Sequence, residues 1–408
     1  MISVVHPTGN RNSLHAALSA KESNLLHLFV TGLRVETDRG WARWMPMRLK
    51  RELEKRSFSE LGDDALALAP LREMIRLGAQ RMRLGSLITG EFAPFGVDRL
   101  YQVLDKKVSR WISSLSGSHH IHLYEDGAAE SLKMCNAMGL TCTYELPIGY
   151  WRTHQRICEE ERELNPLWCE GWNAHQFSKS KGERKDEELS NSQHVVVPSD
   201  FVANSLQDFP GKLGKISQVP YGCPPVWHGQ RKPSKKGKLK VLYVGGLSQR
   251  KGISYLCDAL SGLGSKIEVT FVGIGPLLER IRLAIPEARF TGAISHAEVL
   301  SEMRSHDVMV FPSLFEGMAL VVAEALSQGT PVITTPNSGT VNLGIEKNQA
   351  GWVVPIRKSE PIREILLELL EDLDLRVATQ EGARKLAASH QWGDYRKRIM
   401  DVWSSFGQ

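Results

Sequence analysis

Between Lys240 and Pro355, short runs of β-branched and aromatic residues alternate with stretches of helical character, and this alternation leaves few folds open. "KVLYVG" (240–245), "IEVTFVG" (267–273), "DVMVFPS" (307–313), "TPVITTP" (330–336) and "GWVVP" (351–355) read as strands. "ISYLCDAL", "PLLERIRLAI", "HAEVLSEMRS" and "ALVVAEALSQ" read as helices, the last stopped by Gly329. Strands separated by helices form βαβ units, which build a parallel sheet covered on both faces.

The first half follows the same grammar more weakly. "SVVHP" (3–7), "HIHLYED" (120–126), "TCTYELP" (141–147) and "HVVVPS" (194–199) read as strands. "AAESLKMCNAMG" is a helix closed by Gly139, Trp151 to Leu164 a charged helix, and residues 39–110 mostly helical and irregular. A chain of 408 residues exceeds one ordinary core, so two domains are expected. "VPYGCPPVWHGQRKPSKKGKLK" (219–240) gathers proline, glycine and lysine and reads as an exposed linker, with the boundary near Trp227.

Composition is that of a soluble globular protein, and no apolar run reaches the length of a membrane span. "MISVVHPTGN" reads as a strand and lacks the basic n-region of a signal peptide, so a cytoplasmic location is expected. Cys135, Cys142, Cys158, Cys169, Cys223 and Cys257 form no C-x-x-C pair, which points to free thiols and away from zinc. The net charge of +5 is modest, and no nucleic-acid partner is expected. "RGWARWMPMRLKRELEKRS" (39–57) mixes basic residues with Trp41, Trp44, Met45 and Met47. It reads either as a patch for an anionic substrate or a membrane surface, or as a solvated helix whose tryptophans pack inward.

Two carboxylates then stand out in "FEGMALVVAEAL" (315–326). Glu316 falls in the loop between a strand's carboxyl end and a helix N-terminus, the edge where open α/β sheets bind ligands. Glu324 lies about two turns into the helix, too far at about 1.5 Å per residue to share one atom with Glu316. The pair suits a long ligand with hydroxyls at both ends and phosphate over the helix N-terminus. A nucleoside diphosphate sugar has that layout.

"PSLFEGMALVVAEALSQGTPVI" resembles the E-x7-E region of retaining GT-B glycosyltransferases, specifically glycosyltransferase family 4, and "VGGLSQRKGISYL", "FVGIGP", "FTGAISHAEV" and "HDVMVFPS" continue the resemblance in order over residues 240–355. The resemblance implies two Rossmann-like domains facing across a cleft. Residues 1–226 would bind the acceptor, 227–389 the nucleotide sugar, and 390–408 would form a helix crossing back to the first domain. Glu316 would contact the transferred sugar and Glu324 the ribose. The amides of Gly317, Met318, Ala319 and Leu320 would face the sugar and distal phosphate. Lys251 would neutralise the diphosphate. Gly245 and Gly246 would lie in the donor loop, Gly273 and Gly275 would let backbone approach the nucleotide, and Thr291 to Ile294, including Ala293, would line the base.

Two positions depart from the family pattern. Gly246 stands where an arginine is usual, leaving Arg250 to supply the second positive charge, and Ala319 stands where glycine is frequent. On the acceptor side the resemblance implicates Gly9 and Asn10 in "HPTGNRN", which by itself could be a simple turn. It places Tyr124, Glu125 and Asp126 at the strand end near the anomeric carbon, with Asp126 and Glu125 favoured as cleft carboxylates. Glu145 is either an acceptor contact or an ion-pair partner of Arg152 or Arg156. His120 and His122 read as structural strand residues.

The implied activity is metal-free, retaining glycosyl transfer from a UDP- or GDP-linked sugar to a saccharide or lipid-linked acceptor, in polysaccharide or glycolipid synthesis, with peripheral membrane contact. No further cofactor is implied. A nucleotide-sugar epimerase of the same fold and a non-catalytic nucleotide-sugar-binding scaffold are the alternatives.

Overall fold

The computed structural model describes residues 1–36, 53–54, 56–172, 178–231 and 234–406. Most of the 39–57 stretch therefore lies outside the described residues. Two parallel sheets organise the chain. The first has seven strands in the order β3-β2-β1-β4-β5-β6-β7, and the second has six in the order β10-β9-β8-β11-β12-β13. The N-terminal strands are β1 (Ile2–Val5), β2 (Leu26–Thr31), β3 (Ala65–Ala67), β4 (His120–Tyr124), β5 (Thr141–Glu145), β6 (His194–Val197) and β7 (Lys215–Gln218). The C-terminal strands are β8 (Leu239–Val244), β9 (Ile267–Val272), β10 (Arg289–Gly292), β11 (Val308–Phe311), β12 (Val332–Thr334) and β13 (Gly351–Val353). In both sheets the order reverses beside a central strand, β1 against β4 and β8 against β11, which opens a crevice at the carboxyl edge.

The strands read from the sequence are present, and Trp151–Leu164 and Ile253–Leu260 are helices over the expected residues. Residues 39–110, read as helical and irregular, also contain β3, a three-residue edge strand of "ALA" whose composition carries no strand signal. β7 and β10 are likewise short and sit at sheet edges. All six cysteines are buried and free.

The linker reading needs correction. Val219, Tyr221 and Cys223 are buried. Cys223 donates its amide to His390 O at 2.6 Å, and Trp227 donates to Ser327 O at 2.8 Å. A Cβ on Gly222 would collide with the backbone of Trp392. The outgoing and returning strands of chain thus cross between the domains side by side, and from Val219 to Pro224 close packing replaces solvent exposure, while Pro225, His228, Gln230, Lys235, Lys236 and Lys238 are exposed as expected.

The last helix, Trp392–Ser404, lies against the Arg11–Glu22 helix. Arg396 pairs with Glu22 at 2.8 Å, and Ser19 Oγ donates to Arg396 O at 2.5 Å. Beneath it runs a buried polar ladder. His120 and His122 bond Thr141, Thr143 and Glu145 across β4 and β5, and Trp403 Nε1 donates to Thr143 Oγ1 at 3.3 Å. Glu145 accepts from the Tyr221 hydroxyl at 2.7 Å, His122 Nε2 at 3.1 Å and the Tyr395 hydroxyl at 3.4 Å. Neither Arg152 nor Arg156 reaches it, since they pair with Asp186 and with Glu160 and Asp208. Glu145 therefore fastens the C-terminal helix and both crossing segments to the first sheet, and it is buried away from the cleft.

Removing that acceptor strands at least two buried donors. Glu145→Leu is expected to destabilise the protein by about 3 kcal/mol, measured as a lower urea midpoint. Burial also holds His6 and His120 near a pKa of about 3. A depressed folded pKa contributes stability above the unfolded value of about 6.5 and loses it as pH falls toward the folded value. Melting temperature should drop progressively below about pH 6.5, and less steeply in His120→Gln; equal slopes would contradict the assignment.

Candidate functional site

Three loops leave the carboxyl edge of the C-terminal sheet. The first, after β8, turns through Gly245 (φ 154°) and enters the Ile253–Leu260 helix via a short turn carrying Arg250 and Lys251. The second, after β9, turns at Gly273 (φ 141°). A Cβ on Gly273 would strike Gly245 O, and one on Gly275 would strike Leu247 O. Packing of these two loops against each other is thus what demands glycine at 273 and 275. Gly246 has open space on its Cβ side. Beyond β10, Ala293 is exposed and Ile294 half-buried against the core.

The third loop, after β11, carries Glu316 and leads into the Leu320–Ser327 helix. Glu316 Oε1 contacts Lys251 Nζ and accepts from Arg250 Nη1 and Ser313 Oγ, each at 3.2 Å. Arg250 also donates to Phe315 O at 2.7 Å, which ties the two loops together. Burial, and after it the Arg250 guanidinium, lower the Lys251 pKa to about 6, a shift that an anion seated beside the ammonium would oppose.

The N-terminal domain grips this loop from the other side. Gly149 N donates to Glu316 O at 3.1 Å, and Ser199 Oγ donates to Gly317 O at 2.6 Å. A Cβ on Gly317 would fall on Pro147 O. Of the backbone donors expected to face a ligand, the Ala319 amide is committed to Ser338 O at 2.9 Å. The Met318 side chain turns toward Tyr221, its sulfur accepting from Tyr221 N at 3.2 Å, and Leu320 opens the helix, half-buried against the core.

Between the domains lies a cavity of about 150 Å³ lined by Glu125, Gly149, His154, Lys185, Arg250 and Phe315. Glu125 pairs with Lys185 at 2.6 Å. Burial raises the Glu125 carboxyl's pKa even with Lys185 opposing. Asp126, in a left-handed turn at φ 72°, faces Lys185 at 3.2 Å, Arg184 at 3.7 Å and Lys181 at 3.9 Å. Burial would raise its pKa, but these cations overcome it and hold the carboxyl below its usual range. The turn is anchored by Glu188, which accepts from the amides of Asp126 and Ala128 and from the Tyr144 hydroxyl. Burial and Asp126 push the Glu188 carboxyl up to about 8. His154 accepts from Trp172 Nε1 at 2.9 Å and meets Phe315 edge to face, while burial and the nearby Arg250 and Lys185 lower it to about 4.

The structure therefore brings Glu316, Arg250 and Lys251 together, and Arg250 of that cluster lines the interdomain cavity opposite Glu125 and Lys185. Glu324 stands apart, bonded to His296 Nε2 at 2.9 Å and 3.9 Å from Arg11 Nη1. Arg11 follows Asn10, whose side chain caps the first helix by accepting from Ser13 N and also bonds His6. Gly9, at φ 63°, fits under Phe58. The turn after β1 thus reaches across to Glu324 through Arg11.

Lys185, Arg11, His154 and His296 were not singled out in the sequence. Lys181, Arg184 and Lys185 do carry a signal, three cations spaced for one helix face.

Gly317→Ala should force Pro147 away and loosen the seam. We expect a lower melting temperature and faster hydrogen exchange in peptides covering Gly149 and Ser199; unchanged exchange there would contradict the contact.

Residues 228–386 match the family described as glycosyl transferases group 1. Curated relatives include alpha-D-kanosaminyltransferase of Streptomyces kanamyceticus, 30% identical over 36% of this chain and 41% of that protein. Another is phosphatidyl-myo-inositol mannosyltransferase of Mycolicibacterium smegmatis, 29% identical over 40% and 45%. The chain spans less than half the length of these relatives. Solved structures extend the likeness to both domains. Sucrose-phosphate synthase from Thermosynechococcus elongatus superposes with TM-score 0.65 at 16% identity, covering 99% of this chain and 98% of that one. Anabaena HepE in complex with UDP-glucose gives 0.61 at 14% identity, covering 99% of each. The chain has the GT-B fold, and its C-terminal domain matches the glycosyl transferases group 1.

Proposed function

We propose that this protein is a retaining glycosyltransferase of the family 4 type, moving a sugar from a nucleotide-sugar donor to an acceptor hydroxyl. One observation carries the reading: a carboxylate, a lysine and an arginine meet at the carboxyl edge of a parallel sheet, and the arginine of that cluster lines an interdomain cavity. The match to a transferase family and the UDP-glucose in a structural neighbour support it.

The ion pairs of the site suggest how a donor seats. Lys251 and Arg250 are held by Glu316. An incoming diphosphate competes for both cations and releases the Glu316 carboxylate to accept hydroxyls of the sugar. As the bond between the anomeric carbon and the diphosphate breaks, negative charge grows on the departing phosphate, where Lys251 and Arg250 stabilise it. The acceptor oxygen attacks the same face and its proton leaves toward the departing phosphate. Glu125, whose pKa burial raises, is better poised to hold a proton near the acceptor than Asp126, which three cations keep ionised. Glu324 takes the ribose hydroxyls by exchanging its present partners. The two cations would do the electrostatic work a divalent metal does elsewhere.

Thermal shift and free-nucleotide release would be recorded with UDP-glucose, UDP-galactose, UDP-N-acetylglucosamine, GDP-mannose and ADP-glucose. One donor should stabilise the wild type and be turned over in excess EDTA. Glu316→Ala and Lys251→Ala should each slow turnover by about 10²–10³-fold. Loss of activity in EDTA with recovery on Mn²⁺ would refute the metal-free reading, and full activity of Glu316→Ala would refute the assignment of the site.

A further inference from the structure

The Pro70–Arg81 helix is inside out. Its buried residues are Glu73 and Ala79, while Leu71, Met74 and Ile75 share an outward stripe at helical spacing. The inward carboxylate is satisfied by Arg56 and Arg76. Seven of the large apolar residues left exposed among the described ones fall between positions 71 and 97, including Leu71 at 70%, Met82 at 66% and Phe92 at 82%. Arg72 joins the helix to the 91–97 loop by donating to Pro94 O at 2.5 Å and lying over the Phe95 ring. Between them is a depression of about 290 Å³ lined by Leu71, Ile75, Phe95 and Val103. A contiguous apolar surface of this kind marks an interaction site.

Charge identifies what it meets. Arg81, Arg83, Arg99, Lys106 and Lys107 are exposed around it. The nearby carboxylates are engaged: Asp98 with Lys181, Asp105 with the amides of Glu130 and Ser131, and Glu91 with Ser178 and Ser180. The face therefore offers cations and bare hydrocarbon together. A second copy docked symmetrically would oppose the same cations. The chain's own segment 37–52 is basic too, with five Lys/Arg against two Asp/Glu, and like charges repel.

We propose that this face docks the protein on an anionic lipid surface, with Leu71, Met74, Ile75, Met82, Leu84 and Phe92 entering the headgroup boundary and the surrounding cations meeting phosphate. Arg72, Phe92, Pro94, Arg99 and Lys106 also line one side of a cavity of about 1020 Å³ that runs past Glu130, Glu183 and Glu187 to Arg184 beside Asp126. Docking would place that cavity's rim at the headgroups, where a lipid-linked acceptor presents its sugar. This consequence rests on the transferase reading; docking itself does not.

The test is co-sedimentation of the full chain with phosphatidylcholine vesicles, with and without about one third phosphatidylglycerol. The wild type should bind only the anionic vesicles and release in high salt. Leu71→Ser with Met74→Ser, and separately Arg81→Glu with Arg83→Glu, should each weaken binding about tenfold or more. Both variants should keep the wild-type circular dichroism and donor-induced thermal shift. No binding to anionic vesicles at low salt would overturn the proposal. So would equal binding by both variants. A wild-type dimer abolished by the Leu71/Met74 change would assign the face to a second copy and also overturn it.

Discussion

The backbone at Glu316 and Gly317 is held by the opposite domain, and the arrangement of the cleft depends on that grip. Gly149 and Ser199 bond its two carbonyls, and Gly317 fits against Pro147 only because it lacks a Cβ. A carboxylate that must face a ligand is thereby placed by main-chain contacts from a separate sheet. Its side chain stays available to exchange partners, while the chain beneath it does not move unless the seam opens. Seam and site are one structure, so a change that loosens the domains also misplaces Glu316.

A second set of contacts fixes how the domains meet. Glu161, buried on the Trp151–Leu164 helix, accepts from Gln249, Tyr255 and Arg357 of the other domain. Glu145 collects hydroxyls from both crossing segments. In each case a buried carboxylate is matched by several donors, the condition under which burying charge is tolerable. Two such hubs, one on the cleft helix and one under the C-terminal helix, bracket the point where the chain crosses twice. The inverted Pro70–Arg81 helix uses the same device for a different end. Arg56 and Arg76 satisfy Glu73 inside, which frees the outer face to be apolar.

Much of the fold was legible because strand and helix periods are local properties. The five C-terminal runs and the helices between them follow from spacing and from stop signals such as Gly329. β3, β7 and β10 went unread because an edge strand of three or four residues takes its identity from the neighbour it pairs with; β2, six residues long and interior to the sheet, went unread too. Glu316, Lys251 and Arg250 were readable as a set and do meet. Glu145 was ambiguous in the sequence, since a carboxylate ending a strand can face the cleft or the core, and the choice fell to Tyr221 and Tyr395, distant in the chain. Lys185 went unread although it sits on the cavity, because a basic helix face usually faces water.

The sequence alone determined two parallel α/β units, the order of the loops along the second sheet and the residues that those loops carry. Each depends on neighbours within a few residues or on βαβ connectivity. Only the tertiary structure decided that Gly273 and Gly275 serve loop packing, that the proline-rich crossing is packed from Val219 to Pro224, that Glu125 lines the cavity while Asp126 faces three cations, and that a helix turns Leu71, Met74 and Ile75 outward. Those outcomes depend on which surfaces meet across long stretches of chain, and no local spacing encodes that.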